Sequence, residues 1–186
     1  MSRRMMAMLL VALSIAAAPV AEAGTMCGLK TFLDEFKAGV KHEGYSSMCL
    51  AWQGCSIFSD RVMGHRLQLA KQRDEKQWTV LLTLPHEADV GEGVELQVDN
   101  GEPMRIPPEF LDERAAGRAI AISTKLTDVV LPELRRGKLL NWTYTRKGGR
   151  RDQIAIPLKG LNKVLDWAAC TAKTLDEMAE KKARGR

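Results

Sequence analysis

From Met5 to Ala18 the chain is almost uninterruptedly apolar, whereas from Leu29 onward short apolar groups alternate with polar residues and are cut by glycine and proline. The first group, Leu29, Phe32, Leu33, Phe36 and Val40, recurs at helical spacing and predicts a short amphipathic helix over Leu29 to Lys41, broken by Gly44. The pattern then becomes strand-like. Residues 54–59 and 65–72 flank a turn at Arg61 to Gly64, and His65 to Leu69 alternates. Gln77 to Leu84 is a nearly continuous apolar and β-branched run, the pattern of a strand buried on both faces. After an acidic loop from Pro85 to Gly93, Val94, Leu96 and Val98 alternate with Glu95 and Gln97. Asp99-Asn100-Gly101 is a hairpin signal, with Glu102 to Ile106 as the returning strand.

Ala119 to Ser123 predicts another short strand. Thr127 then caps a helix through Leu134, stopped by Gly137 and shortened or kinked by Pro132. Leu139 to Arg146 and Gln153 to Leu158 form a second hairpin across Lys147-Gly148-Gly149-Arg150. Gly160 introduces a last helix from Leu161 to about Ala172, burying Leu161, Val164, Leu165 and Ala168. Lys173 to Arg186 is charged with sparse apolar residues, which predicts a frayed helix or disordered tail of little weight in folding. About seven short strands separated by turns predict a mainly β sandwich with short helices at its N- and C-terminal ends.

The leading segment changes the compartment. Arg3 and Arg4 precede the apolar run, Pro19 ends it, and Ala21-Glu22-Ala23 has the small-x-small form of a signal-peptidase site. The run is shorter than the roughly 20 residues of a membrane-spanning helix. Residues 1–23 are therefore expected to be a cleaved signal peptide, with no transmembrane segment afterwards, and the protein to be periplasmic or secreted. Gly24-Thr25-Met26 before Cys27 matches a lipoprotein box poorly. Cleavage leaves 163 of the 186 residues, enough for one domain core over 24–172, and a charge of +4 from 26 basic and 22 acidic groups. The pairs Arg135-Arg136, Arg146-Lys147 and Arg150-Arg151 lack interleaved stacking aromatics and read as solvated surface, with no nucleic acid as partner.

Cys27, Cys49, Cys55 and Cys170 all lie in the processed chain. An even count in an oxidising compartment predicts two disulfides, with three possible connectivities. Loop entropy separates these poorly: closing Cys49–Cys55 contributes roughly 2.4 kcal/mol and Cys27–Cys170 roughly 5 kcal/mol, and the rival pairings sum to similar totals. The five residues between Cys49 and Cys55, Gly54 among them, suit two strand ends joined by a tight connection. That favours Cys49–Cys55, with Cys27–Cys170 stapling the two terminal helices. Metal ligation is disfavoured by the lack of a paired CxxC and by three scattered histidines.

From Leu81 to Leu158 the chain resembles a known family. Leu82-Thr83-Leu84-Pro85, Gly93-Val94-Glu95-Leu96-Gln97-Val98-Asp99 and Glu102-Pro103-Met104-Arg105 are similar to the core of the invasion-associated locus B family. Leu134-Arg135-Arg136-Gly137-Lys138 and Ile156-Pro157-Leu158-Lys159-Gly160-Leu161 resemble its ending. Two departures stand out. Tyr45 occupies the place where the family often has Trp, four residues before the first close cysteine, and the second close cysteine pair of many members is missing from Phe110 to Gly117. The resemblance implies an immunoglobulin-like β-sandwich and a periplasmic, surface or secreted location in a Gram-negative bacterium. Some members are linked to host-cell invasion, while others occur in harmless bacteria.

No catalytic constellation emerges. The serines lack a nucleophile elbow, His42, His65 and His86 have unrelated local contexts, and the carboxylates form no recognisable acid–base pair. Neither a cofactor nor a catalytic or metal-binding residue is expected. Thiol–disulfide exchange at Cys49 and Cys55 is the sharpest enzymatic alternative, but oxidoreductases favour CxxC at a helix N-terminus. Trp52, between these cysteines, is expected to be buried. Three readings follow: a non-catalytic binding protein for an envelope or host-surface protein, a structural or chaperone-like envelope factor supported by the charged tail, and, last, a thiol oxidoreductase. The partner and the oligomeric state are left open.

Overall fold

The structure, a computed structural model, describes residues 23–34 and 36–185. The predicted signal segment up to Glu22 lies outside the described residues. The first strands are β1 (Ala23–Met26), β2 (Leu29–Asp34), β3 (Lys37–His42), β4 (Tyr45–Leu50) and β5 (Gly54–Ser59). They are followed by β6 (Arg66–Gln72), β7 (Thr79–Thr83), β8 (Val94–Val98), β9 (Met104–Ile106), β10 (Leu111–Arg114) and β11 (Ala119–Ile122). Helix α1 (Thr124–Arg136) leads into β12 (Leu139–Thr145) and β13 (Arg151–Pro157), and α2 (Leu161–Arg184) follows. Among the described residues no helix is long and apolar enough to cross a membrane.

The strands form two antiparallel sheets, one ordered β1-β2-β3-β4-β5-β6-β7-β11-β10 and the other β13-β12-β8-β9. A single register row crosses the large sheet: Thr31, Val40, Ser47, Ile57, Leu69, Val80 and Ile122 are successive partners, and all are buried. Two-residue periodicity commits each strand to this inward face, because a slip by one residue would expose the whole row. Leu140, Trp142 and Tyr144 of β12 and Ile154 and Ile156 of β13 face inward from the small sheet, and one apolar core joins both sheets with α2. The Tyr45 hydroxyl donates to the Pro157 carbonyl at 2.7 Å, tying β4 to β13, and burial pushes that hydroxyl's pKa upward. In the large sheet the order is a meander through β7, unlike the Greek-key order of an immunoglobulin domain.

The expected helix at Leu29 to Lys41 is two strands instead. Leu29, Thr31 and Leu33 point to one side of β2 while Phe32 points out, and Ala38 and Val40 repeat the alternation on β3. Three of the five residues that suggested a helix thus fit period two equally well, and pairing with β4 decides the matter. The other helices differ in extent. Helix α1 starts one turn earlier than expected, capped by Ser123, whose Oγ accepts from the Lys125 N–H at 3.4 Å. Thr127 lies inside it, buried, and donates to the Trp78 carbonyl at 2.8 Å.

Helix α2 begins after Gly160 as expected but continues through the predicted tail. Leu161, Val164, Leu165, Ala168, Thr171, Leu175 and Ala179 form one buried stripe along it, laid over β3, β4 and β5. The sparse apolar residues of the tail are therefore spaced to extend this stripe, and Lys173 to Arg184 is helix, not free chain. The hairpins β8–β9 and β12–β13 and the doubly buried β7 lie where the pattern placed them.

Candidate functional site

The four cysteines meet in two pairs. Cys49 and Cys55 are direct partners in the β4–β5 ladder, with Cα atoms 4.1 Å apart, and both are buried beneath α2 against the Ala168 carbonyl. The turn between them forces positive φ at Trp52 and Gly54. At Gly54 a Cβ would collide with the Lys71 and Gln72 backbone of β6, so glycine alone fits. Cys27, in the β1–β2 turn, is bonded to Cys170 of α2 with Cα atoms 6.0 Å apart. That bridge joins a strand turn to a helix, because the segment expected as an N-terminal helix is a hairpin.

Trp52 is not buried as expected but 49% exposed. Its position in the tight turn, at φ 66°, holds the ring outside the sandwich, where it packs on Phe36 with ring centroids 5.0 Å apart. Its backbone N–H faces Asp176 of α2 at 3.4 Å.

A second constellation lies at one end of the space between the sheets, and local sequence context did not reveal it. His65 immediately precedes β6, Tyr144 is on β12 and Asp152 on β13. His65 Nε2 is 2.9 Å from the Tyr144 hydroxyl, which lies 3.2 Å from Asp152 Oδ2. Arg146 donates its Nε–H to the same carboxylate oxygen, and Arg150 approaches Oδ1 at 3.3 Å. A signal for two of these groups was present: in the period-two pattern Tyr144 is in phase with Leu140 and Trp142, and Asp152 with Ile154 and Ile156. Polar residues in phase with a buried row point toward a shared interior.

The electrostatics follow from this placement. Burial works against ionisation of Asp152, but the Arg146 bond and charge, the Tyr144 hydroxyl and Arg150 outweigh it and hold the carboxyl below its usual value. Burial and the adjacent carboxylate raise Tyr144 to about 12. Burial likewise draws His65 below the ordinary imidazole value, against the opposing pull of the Val62 and Met63 carbonyls and Asp152. His65 Nδ1 lies 3.1 Å from the Met63 carbonyl, which only accepts, so this nitrogen carries the proton in the neutral ring. Nε2 then competes with Asp152 for the single Tyr144 proton.

His65, Arg146, Arg150 and Asp152 of this network line an open cleft of about 350 Å³, together with Met63, Pro85 and His86. An adjoining depression shares Pro85, His86 and Arg146 and adds Arg118 and Lys147. The structure therefore brings His65 and His86 to one cleft and leaves His42 beside Glu43, at 3.4 Å. The Arg146-Lys147 and Arg150-Arg151 clusters are not simply solvated: Lys147 pairs with Glu87 and Glu113, Arg151 with Glu95, and both Arg146 and Arg150 with Asp152. Arg118 has no ion pair or side-chain hydrogen bond among the described residues. No serine, threonine or cysteine lines the cleft, and no cluster of His, Cys, Asp or Glu among the described residues has the arrangement of a metal site.

Comparison with known proteins gives a consistent picture. The family model described as Invasion associated locus B (IalB) protein matches residues 36–169, more than half of the chain. Cys49 and Cys55 lie within the matched segment, whereas Cys27 and Cys170 both fall outside it. The crystal structure of invasion associated protein B from Bartonella henselae is similar in fold, with a TM-score of 0.57 and 20% sequence identity. The similarity covers 73% of this chain and 98% of that one. No curated protein matches significantly.

Proposed function

Because the chain belongs to the invasion associated locus B family, we propose that it is an exported, non-catalytic binding protein, periplasmic or secreted, that engages an envelope or host-surface protein. The observation that carries the binding reading is the cleft at the end of the two sheets. Asp152 in its lining is held by Arg146 and by Tyr144 beneath it, while Arg118, on the wall of the adjoining depression, has no ion pair among the described residues. A cleft with a rigid polar lining and available donors recognises a carboxylate-bearing partner at little ordering cost. The absence of a serine, threonine or cysteine from its lining, and the engagement of Asp152 by two arginines, favour recognition over catalysis.

The chaperone-like alternative drew its support from a free charged tail, and that support falls away with Leu175 and Ala179 packed against the sheet. For the oxidoreductase alternative, both sulfurs of the Cys49–Cys55 bridge lie beneath α2, a poor setting for an attacking thiol. Photo-cross-linkers placed at Arg118 and, as a control, at Asn141 on the outward face of β12 test the proposal in intact cells. A protein captured from Arg118 and not from Asn141 supports it. Equal or no capture from the two sites refutes it, and turnover in an insulin-reduction assay would move the oxidoreductase reading to first place.

A further inference from the structure

The outward face of β2, β3 and β4 has a composition that folding does not require. Phe32, Gly39 and Met48 are successive cross-strand partners on that face, and Phe32 and Met48 are 47% and 42% exposed. Neighbouring strands are about 4.8 Å apart, so the two apolar side chains stand about 10 Å from one another across Gly39. Gly39 has no positive φ, and a Cβ there would meet nothing nearer than the Ser47 carbonyl at 3.6 Å. Neither backbone conformation nor space therefore calls for glycine. A glycine in a strand interior weakens the strand and often marks the close approach of another molecule. Here it leaves a gap one side chain wide between two exposed apolar groups.

Charge surrounds that gap. Lys37 and Lys41 flank Gly39 on β3, and Lys30 precedes Phe32 by two residues on β2, all on the outward side. None of the three lysines makes an ion pair or side-chain hydrogen bond with another described residue. Asp34 is the carboxylate on this face of the three strands among the described residues, so cations exceed anions there. Exposed aromatic and apolar side chains ringed by unpaired lysines are complementary to the headgroup boundary of an anionic bilayer.

We propose that this face docks on an anionic lipid surface, with Phe32 and Met48 at the acyl boundary and Lys30, Lys37 and Lys41 against lipid phosphates. The proposal is independent of the cleft, which involves other residues and other strands. Each lysine contributes about fivefold to partitioning onto a negative surface, or about a hundredfold for the three.

Co-sedimentation of the processed protein, purified from an envelope extract, with vesicles tests this. Vesicles of phosphatidylglycerol mixed with phosphatidylcholine are compared with phosphatidylcholine alone. Binding is expected to favour the anionic vesicles at least tenfold and to disappear in high salt. K37E/K41E, both exposed-face changes, should bind at least about 25-fold more weakly with an unchanged melting temperature, while R118E binds as the parent does. Equal binding to both vesicle types, no binding, or undiminished binding of K37E/K41E would overturn the proposal. So would sedimentation velocity showing a dimer that K37E/K41E dissociates, since a second copy would then cover the face.

Discussion

The indole N–H of Trp167 donates to the Thr31 hydroxyl at 2.9 Å, joining α2 to β2 across 136 residues of chain. Thr31 passes the bond on, donating to the Leu29 carbonyl at 2.9 Å. Both side chains are buried. Thr31→Val is expected to strand the indole N–H and cost about 1–3 kcal/mol, lowering the melting temperature by several degrees at about 2–4 °C per kcal/mol. Adding Trp167→Phe to Thr31→Val should cost less than the two single changes summed, because the second change removes the orphaned donor. A strictly additive double mutant in calorimetry would show that the bond has no energetic weight.

Truncation of α2 is a sharper test of the fold. Leu175 is 1% exposed, and Asp176 faces both Arg73, at 3.4 Å, and the Trp52 backbone N–H. Deleting Leu175 to Arg186 exposes the sheet beneath and forfeits about 1.5–3 kcal/mol for Leu175 alone. Thermal unfolding should fall by more than five degrees or so on the same scale. A change within the error of the measurement would mean that the helix end does not dock.

Removing the disulfides should separate them by loop length. The Cys27–Cys170 bridge closes a separation of 143 residues and the Cys49–Cys55 bridge one of 6. Loss of a native bridge costs about 2–5 kcal/mol, more for the longer loop. C27S/C170S is therefore expected to lower the urea midpoint further than C49S/C55S. Non-reducing peptide mapping of the parent should recover the same two pairs, and a Cys27–Cys49 or Cys27–Cys55 peptide would contradict the topology.

Stability should depend on pH through His65. Its folded pKa lies below the unfolded value of about 6.5, so the unfolded chain takes up the proton first. The contribution is full above about pH 6.5 and is lost as pH falls below that value toward the folded pKa. Asp152, also held low, acts in a separate window: its contribution is present above about pH 4 and is lost as pH falls through its depressed folded pKa. Urea midpoints measured between about pH 7.5 and 5 should decline for the parent and decline less for His65→Gln. Parallel curves would place the titrating group elsewhere.

What the sequence determined was local. Alternation placed β6, β8 and β12, Asp99-Asn100-Gly101 turned the β8–β9 hairpin, and Gly160 opened α2, because each depends on neighbours a few residues away. The disulfide pairing was legible for the same reason, since it could be argued from a short loop. Tertiary structure decided the rest. Leu29, Leu33 and Val40 satisfy both a helical and a two-residue period, and only the partner strand β4 and the Trp167 indole resolve Thr31 inward. Leu175 and Ala179 look like isolated apolar residues in a charged tail until a sheet lies beneath them. The cleft was the least legible feature: His65 and Tyr144 are 79 residues apart, and no local pattern can foretell which inward-facing polar groups will meet when two sheets close on one core.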